Sequence, residues 1–336
     1  MSQATIQPAN KNKSALEKLA ADLDQEMTLV NKAIVDYTSS DVTHVTEVAS
    51  YILMAGGKRI RPLLTLASAQ LGGYEGKNHI LLAACVEFIH TATLLHDDVV
   101  DDSKMRRGRD SVNCVWGNES SVLVGDFLYS SAFEMMVAVK SMDIMSVLAR
   151  ASKNMSEGEV LQLVSSANLE CDLKTYFKII ESKTGALFSA ATEVGAVLSG
   201  AAPEKRKAMA AYGANLGLAF QLVDDALDYT ADGEKLGKNV GDDFNEGKVT
   251  LPLILAYSMS NKEDKAFFER VIHQGPKEGD FETACAIMEK HNVIDEVIAE
   301  ACKFAQLARQ NLEEFESSPM RIMSEDVADY CVTRVN

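Results

Sequence analysis

Two short acidic runs carry the chemistry this sequence can do: DDVVD at Asp97–Asp101 and DDALD at Asp224–Asp228. Each closes a stretch rich in small and apolar residues. Like charges one helical turn apart destabilise a helix, so the spacing calls for a compensating cation. At about 100° per residue, His90, Thr93, Leu94, Asp97 and Asp101 share one stripe, with Asp98 at its edge. Gln221, Asp224, Asp225 and Asp228 form a second stripe. If the stripes face each other, five or six carboxylates surround one space. Hard oxygen ligands without His or Cys select Mg²⁺, which keeps waters and takes few carboxylates plus substrate phosphates. One such run alone reads equally well as a solvated acidic helix end. Two copies, each opposite a face that looks buried, favour metal.

The basic residues supply the matching anion site. GGKRIRP places Lys58 and Arg61 after a glycine pair, where backbone and cations can approach a phosphate. Arg106 and Arg107 follow the first acidic run. Lys183 and Thr184 put an ammonium beside a hydroxyl, and Lys238 and Lys248 flank a loop after the second run. Each alone reads as a surface charge, and GxxxxGK[ST] is absent, so this is not a P-loop. Together with paired Mg²⁺ sites they suggest a substrate with diphosphate groups. His90 lies on the first stripe and could donate to phosphate. The apolar runs behind the carboxylates suggest that the rest of the substrate is greasy.

Helices must position these groups. Apolar residues recur at three and four in SALEKLAADLDQEMTLVNKAIVDY and HILLAACVEFIHTATLLHD, and sustained strand alternation is missing. Turn signals separate the pieces, proline is scarce at 6, and no linker divides the 336 residues. The expectation is an all-α fold, one domain over residues 14–336, with residues 1–13 disordered. Net charge of −16 and a pI near 4.9 argue against nucleic acid. Six scattered cysteines without a CxxC pair fit a reducing cytoplasm. The N-terminus shows no secretory signal, and the richest apolar run is interrupted by Glu87 and His90, so no transmembrane segment is expected.

The combination resembles the trans-isoprenyl diphosphate synthases, in particular their long-chain branch. The likeness runs through GGKRIRP, EFIHTATLLHDDVVDDSKMRRG, SVLVGDFLYSSAF, KTGALF, FQLVDDALDY and LGKNVGDDFNEGKVTLPL, from about Ala49 to Leu255. Val249 stands where many relatives have proline, and the C-terminal third carries little that identifies the family. The resemblance implies a helical bundle around a central cavity, of the isoprenoid synthase type, usually homodimeric. It implies a prenyltransferase that adds isopentenyl diphosphate head-to-tail to an allylic diphosphate primer. The long-chain product, octaprenyl in length, would go to the membrane for quinone side chains.

By the same resemblance, Asp97, Asp101, Asp224, Asp225 and Asp228 hold up to three Mg²⁺, with Asp98 in support. Lys58, Arg61, His90 and Arg107 bind isopentenyl diphosphate. Arg106, Lys183, Thr184, Gln221 and Lys238 bind the allylic partner. Asp97, Asp98, Asp101, Lys183, Asp224 and Asp225 form the catalytic set. Small residues before Asp97, Ala92 and Thr93, leave room for a growing chain, with Phe133, Met135 and Met136 as candidate floor residues. A shorter-chain synthase, a terpene cyclase, a non-catalytic partner subunit and an acidic cation-binding protein are the competing readings. The intact acidic motifs and the GGKR turn weigh against the last three, and the small residues before Asp97 weigh against a shorter-chain synthase.

Overall fold

A computed structural model describes residues 14–166, 169, 173–230 and 240–333. The N-terminal stretch expected to be disordered and Lys238 lie outside the described residues. Helices α1 (Ala15–Asp22), α2 (Asp24–Thr38), α3 (Thr43–Leu53) and α4 (Ile60–Leu71) lead to the long α5 (Asn78–Val100). A two-residue hairpin, Met105–Arg106 paired antiparallel with Arg109–Asp110, precedes α6 (Val112–Val139). Then come α7 (Met142–Ser165), α8 (Leu173–Ile180), a π-turn (Glu181–Gly185), α9 (Ala186–Leu198) and α10 (Pro203–Leu227). After a single helical turn at Asp242–Asn245, α11 (Leu251–Met259), α12 (Lys262–Gln274), α13 (Asp280–Lys290), α14 (Val293–Asn311) and α15 (Pro319–Thr333) complete the fold. The all-α expectation holds.

Local chemistry sets the helix starts. Ser14 and Glu17 form a reciprocal capping box on α1, Asn261 caps α12 through its side chain, and Pro203 opens α10. Two apolar clusters form the core. One joins α1–α7, α9, the first half of α10, the end of α14 and α15; the other joins α8, the second half of α10 and α11–α14. Helix α5 lies inside the first, packed on α6, α4 and α2, while α10 packs on α9 and α14.

One expectation is refined here. By length and composition alone, α5 and α6 are both apolar enough to cross a membrane. In the fold they pack against each other, and the most apolar 18-residue window of α5 is 61% buried. Glu87, which interrupts that window, is 2% exposed and paired with Arg59.

Candidate active site

The last two turns of α5 present the first acidic motif. Asp98 is fully buried, turned off the stripe that helical projection gives it. Arg106 of the hairpin donates its Nε to Asp98 Oδ1 at 2.9 Å and adds a second contact through Nη2. Asn113 Nδ2 donates to the Asp98 main-chain oxygen at 3.1 Å. Asp98 Oδ2 is buried without a hydrogen-bond partner. Burial raises the Asp98 pKa even against Arg106. Asp97 is half-buried, and burial, then the nearby Glu159, push it up to about 7 while Lys183 opposes. Asp101 caps the helix and meets Lys248 Nζ at 3.0 Å.

The second motif ends α10 in a parallel way. Asp225 is 2% exposed. Both of its oxygens accept from protein: Oδ2 from Tyr176 Oη at 2.6 Å, and Oδ1 from Gln221 Nε2 at 2.7 Å. Thr184 Oγ1 in turn donates to Gln221 Oε1 at 2.8 Å. Burial, then the charge of Asp243, push Asp225 up to about 8. Asp228 is 5% exposed, and its Oδ2 accepts from the Asp243 N–H at 3.1 Å. Asp224 is half-buried on the neighbouring face.

Two lysines from elsewhere in the chain reach the first motif. Lys248, from the loop after α10, reaches Asp101 at the end of α5. Lys183 sits on the π-turn, which is drawn tight against α7 at Gly158. A Cβ there would lie 2.7 Å from Ser182 Cβ. Its ammonium rests 2.7 Å from Glu159 Oε2 and also contacts Gln162, and its charge is felt at Asp97.

The cations predicted for the second diphosphate gather around His90, about two turns before Asp97 on α5. Arg61 is only partly exposed, its guanidinium 4.5 Å from the Phe188 ring centroid. Burial lowers its pKa to about 10, with Glu87 opposing. Arg107 donates Nη1 to Gly56 O at 2.5 Å. Burial, then the charges of Arg61, Arg107, Arg106 and Arg59, hold His90 well below the usual imidazole range, so it stands as a neutral donor or acceptor. Lys58 is exposed on the same turn as Arg61.

Ala92 is fully buried, and Thr93 is half-buried with its hydroxyl turned back to His90 O at 2.9 Å. Met135 and Met136 are buried in the main apolar core. Phe133 is corrected: it is 41% exposed and lies edge-on to Tyr129. The inward face of α6 runs through Leu128, Ala132, Met135, Met136 and Val139, and Phe133 falls outside that register.

Sequence reasoning passed over Glu87, Arg59, Glu159, Gln162 and Tyr176. Arg59 stood inside GGKRIRP, and Glu87 registered only as an interruption of an apolar run. For Glu159, Gln162 and Tyr176 the spacing gave no signal.

The donor set fits Mg²⁺. Its ligands are carboxylates only, one buried oxygen of Asp98 is unpartnered, and Asp97 and Asp225 are both raised by burial and then by a neighbouring carboxylate. Among the described residues no three His, Cys, Asp or Glu side chains converge into a ready-made cage. That suits an ion that draws its remaining ligands from water and diphosphate.

Residues 42–288 match the polyprenyl synthetase family. The chain is 48% identical over 260 residues to octaprenyl diphosphate synthase of Escherichia coli (strain K12), covering 77% of this chain and 80% of that one. It superimposes on a decaprenyl diphosphate synthase from Rhodobacter capsulatus with a TM-score of 0.92 at 47% identity, over 96% of this chain and 99% of the other. A polyprenyl synthase from Caulobacter crescentus CB15, solved with calcium and isoprenyl diphosphate, gives a TM-score of 0.92 at 45% identity, over 96% and 99%.

Proposed function

The chain belongs to the polyprenyl synthetase family, and from that premise we propose that it elongates an allylic diphosphate with isopentenyl diphosphate, head to tail, to a product of about octaprenyl length. The observation that carries the reading is a first acidic motif met by Lys248 from the loop after the second and by Lys183, whose neighbour Thr184 bonds Gln221 and through it Asp225 of the second, with Arg61, His90 and Arg107 clustered nearby. The Caulobacter relative, solved with a hard cation and an isoprenyl diphosphate, supports it.

Asp97, Asp101, Asp224 and Asp228 would hold Mg²⁺, with Asp98 and Asp225 fixed behind them. Bound there, the metal supplies positive charge to the departing diphosphate. Arg106, Lys183 and Lys248 stand where negative charge develops on the allylic leaving group, and fixed charge of this kind stabilises it as it forms. Thr184 and Gln221 orient the same head group. Lys58, Arg61, His90 and Arg107 hold isopentenyl diphosphate, so that its alkene faces the allylic carbon. The allylic cation must be kept from water. The apolar residues of α5 and α6 serve that end, and after attack a proton is lost and the chain is one unit longer.

Incorporation of labelled isopentenyl diphosphate, with and without EDTA, tests the reading, and product sizing tests the length. A chain that incorporates nothing at saturating Mg²⁺ is not a synthase on its own. Ala92 and Thr93 would leave room for the growing tail, with Met135 and Met136 as candidates for its floor. Thr93→Phe should therefore keep condensing but release shorter products than the wild type. Mass analysis after dephosphorylation decides it.

The proposal extends to a homodimer through α6, whose outer face exposes Val115, Val122, Leu123, Phe133 and Val137. Sedimentation showing only monomer at micromolar concentration would remove it. A cytoplasmic enzyme that passes its product to the membrane fits the acidic charge of −16 and the free cysteines among the described residues.

A further inference from the structure

Glu87 sits in the middle of α5, 2% exposed, among apolar neighbours. A buried carboxylate is tolerated only when paired. Its Oε1 lies 2.8 Å from Arg59 Nη1 and 3.9 Å from Arg107 Nη2. The main chain fixes each arginine a second time, Arg59 through Leu53 O at 2.6 Å and Arg107 through Gly56 O at 2.5 Å. Both hold left-handed backbone conformations, at φ 47° and 53°, which side chains other than glycine rarely adopt without compensation. The turn between them is built around the same contact. At Gly57 (φ 130°) a Cβ would lie 3.1 Å from the Arg107 guanidinium carbon. Arg61 also senses Glu87, whose charge opposes the effect of burial on its guanidinium. One carboxylate is thus shared among three guanidiniums that would otherwise repel each other.

We propose that Glu87 is a positioning residue for the isopentenyl diphosphate site: its buried carboxylate aims Arg59 and Arg107, and with them Arg61, so that the head group meets a preset fork of cations. The inference rests on the function proposed above and deepens it. Glu87 does not touch the substrate in this account; it acts through the arginines. Its charge also weakens the pull on an incoming anion, so removing it has two opposed consequences. The direct contact to Arg59, at 2.8 Å, makes the loss of order the larger one.

The sign of a Michaelis constant separates these consequences. The full-length enzyme is assayed with Mg²⁺, varying isopentenyl diphosphate at saturating allylic diphosphate and then the reverse. Glu87→Gln should raise KM for isopentenyl diphosphate about tenfold or more, the loss expected when a charge-assisted contact goes, with KM for the allylic substrate unchanged. Glu87→Asp keeps the charge but withdraws it by one methylene, and should raise the same KM by a smaller factor. Thermal unfolding checks that both variants are folded, and if Glu87→Gln is not, Glu87→Asp decides alone by the same split. A lowered or unchanged KM for isopentenyl diphosphate in Glu87→Gln overturns the proposal. So does a Glu87→Asp enzyme like wild type, or an equal rise for both substrates, which would mark a merely structural role. A wild-type chain that incorporates no isopentenyl diphosphate overturns the functional reading and this inference with it. An active wild type with unaffected variants overturns the inference alone.

Discussion

Asp98 and Asp225 hold the same place in two motifs, the second aspartate of each, and they are 0% and 2% exposed. One is met by the guanidinium of Arg106, the other by a phenol and an amide. The first motif therefore carries its own counter-charges: Arg106 on Asp98, Lys248 on Asp101, and Lys183 within reach of Asp97. At the buried aspartate of the second, neutral donors satisfy the hydrogen bonds and leave the charge uncompensated, and Asp225 rises to about 8. Hydrogen bonds alone do not offset the cost of burying a carboxylate; a full opposite charge goes further. The contrast sets a buried aspartate, Asp98 or Asp225, behind the half-buried Asp97 or Asp224 of the same motif.

The largest effects should come from the half-buried members. Asp97→Ala and Asp224→Ala should each cut turnover by about 10²–10³ or more, the scale of losing one stabilising group at a developing charge. Both should stay folded, since each removes a half-buried carboxylate. Steady-state rates at saturating Mg²⁺ decide it, and near-normal turnover in either would erase that motif's role.

The buried members should differ in stability. Asp98→Asn strands Arg106 and should cost about 2 kcal/mol, less than the ~3–5 of a fully buried pair because the Arg106 side chain remains 30% exposed. Asp225→Asn meets only neutral donors and should be neutral or stabilising in metal-free protein. Urea unfolding of the two variants in EDTA compares them directly, and equal losses would dissolve the distinction.

The pH dependence follows from the same groups. Asp97 and Asp225 bind protons more tightly folded than unfolded. Their contribution to stability is therefore complete below the unfolded value of 3.8 and lost as pH rises through about 7 and about 8. Metal-free protein should weaken across that window, and Asp225→Asn should flatten its upper part. Saturating Mg²⁺ should oppose the trend, because it binds the deprotonated forms. Urea midpoints between pH 5 and 9 with and without metal would reveal a missing slope.

Tyr176→Phe should have the smallest effect, about 1 kcal/mol for one hydrogen bond. Its phenol lowers the Asp225 pKa, so the variant should need more Mg²⁺ for half-maximal activity near neutrality. An unchanged metal requirement would show that Gln221 alone suffices to orient Asp225.

The sequence was most legible where period and charge coincide. DDVVD and DDALD end α5 and α10, and the helical reading of both segments holds because apolar spacing and helix geometry say the same thing. Projection could not tell that Asp98 turns inward, because Arg106 reaches it from a hairpin that the 3.6-residue period does not describe. Glu87 looked like a flaw in an apolar run; only the folded GGKR turn brings Arg59 onto it. Tyr176 is 49 residues from Asp225, and no local pattern links them. Phe133 was misplaced because an aromatic residue in an apolar helix says nothing about which side the neighbouring helices occupy.

Helix α10 belongs to both apolar clusters, Leu216 to one and Leu222, Val223, Ala226 and Leu227 to the other. Neither half of the protein can loosen without pulling on the rod that carries the second set of aspartates. Its central amides should accordingly be among the slowest to exchange with heavy water, with protection lost in one concerted opening. The aspartates proposed to hold metal in the second motif thus hang from the part of the chain that is last to let go, so loops around the site can rearrange while those carboxylates keep their alignment.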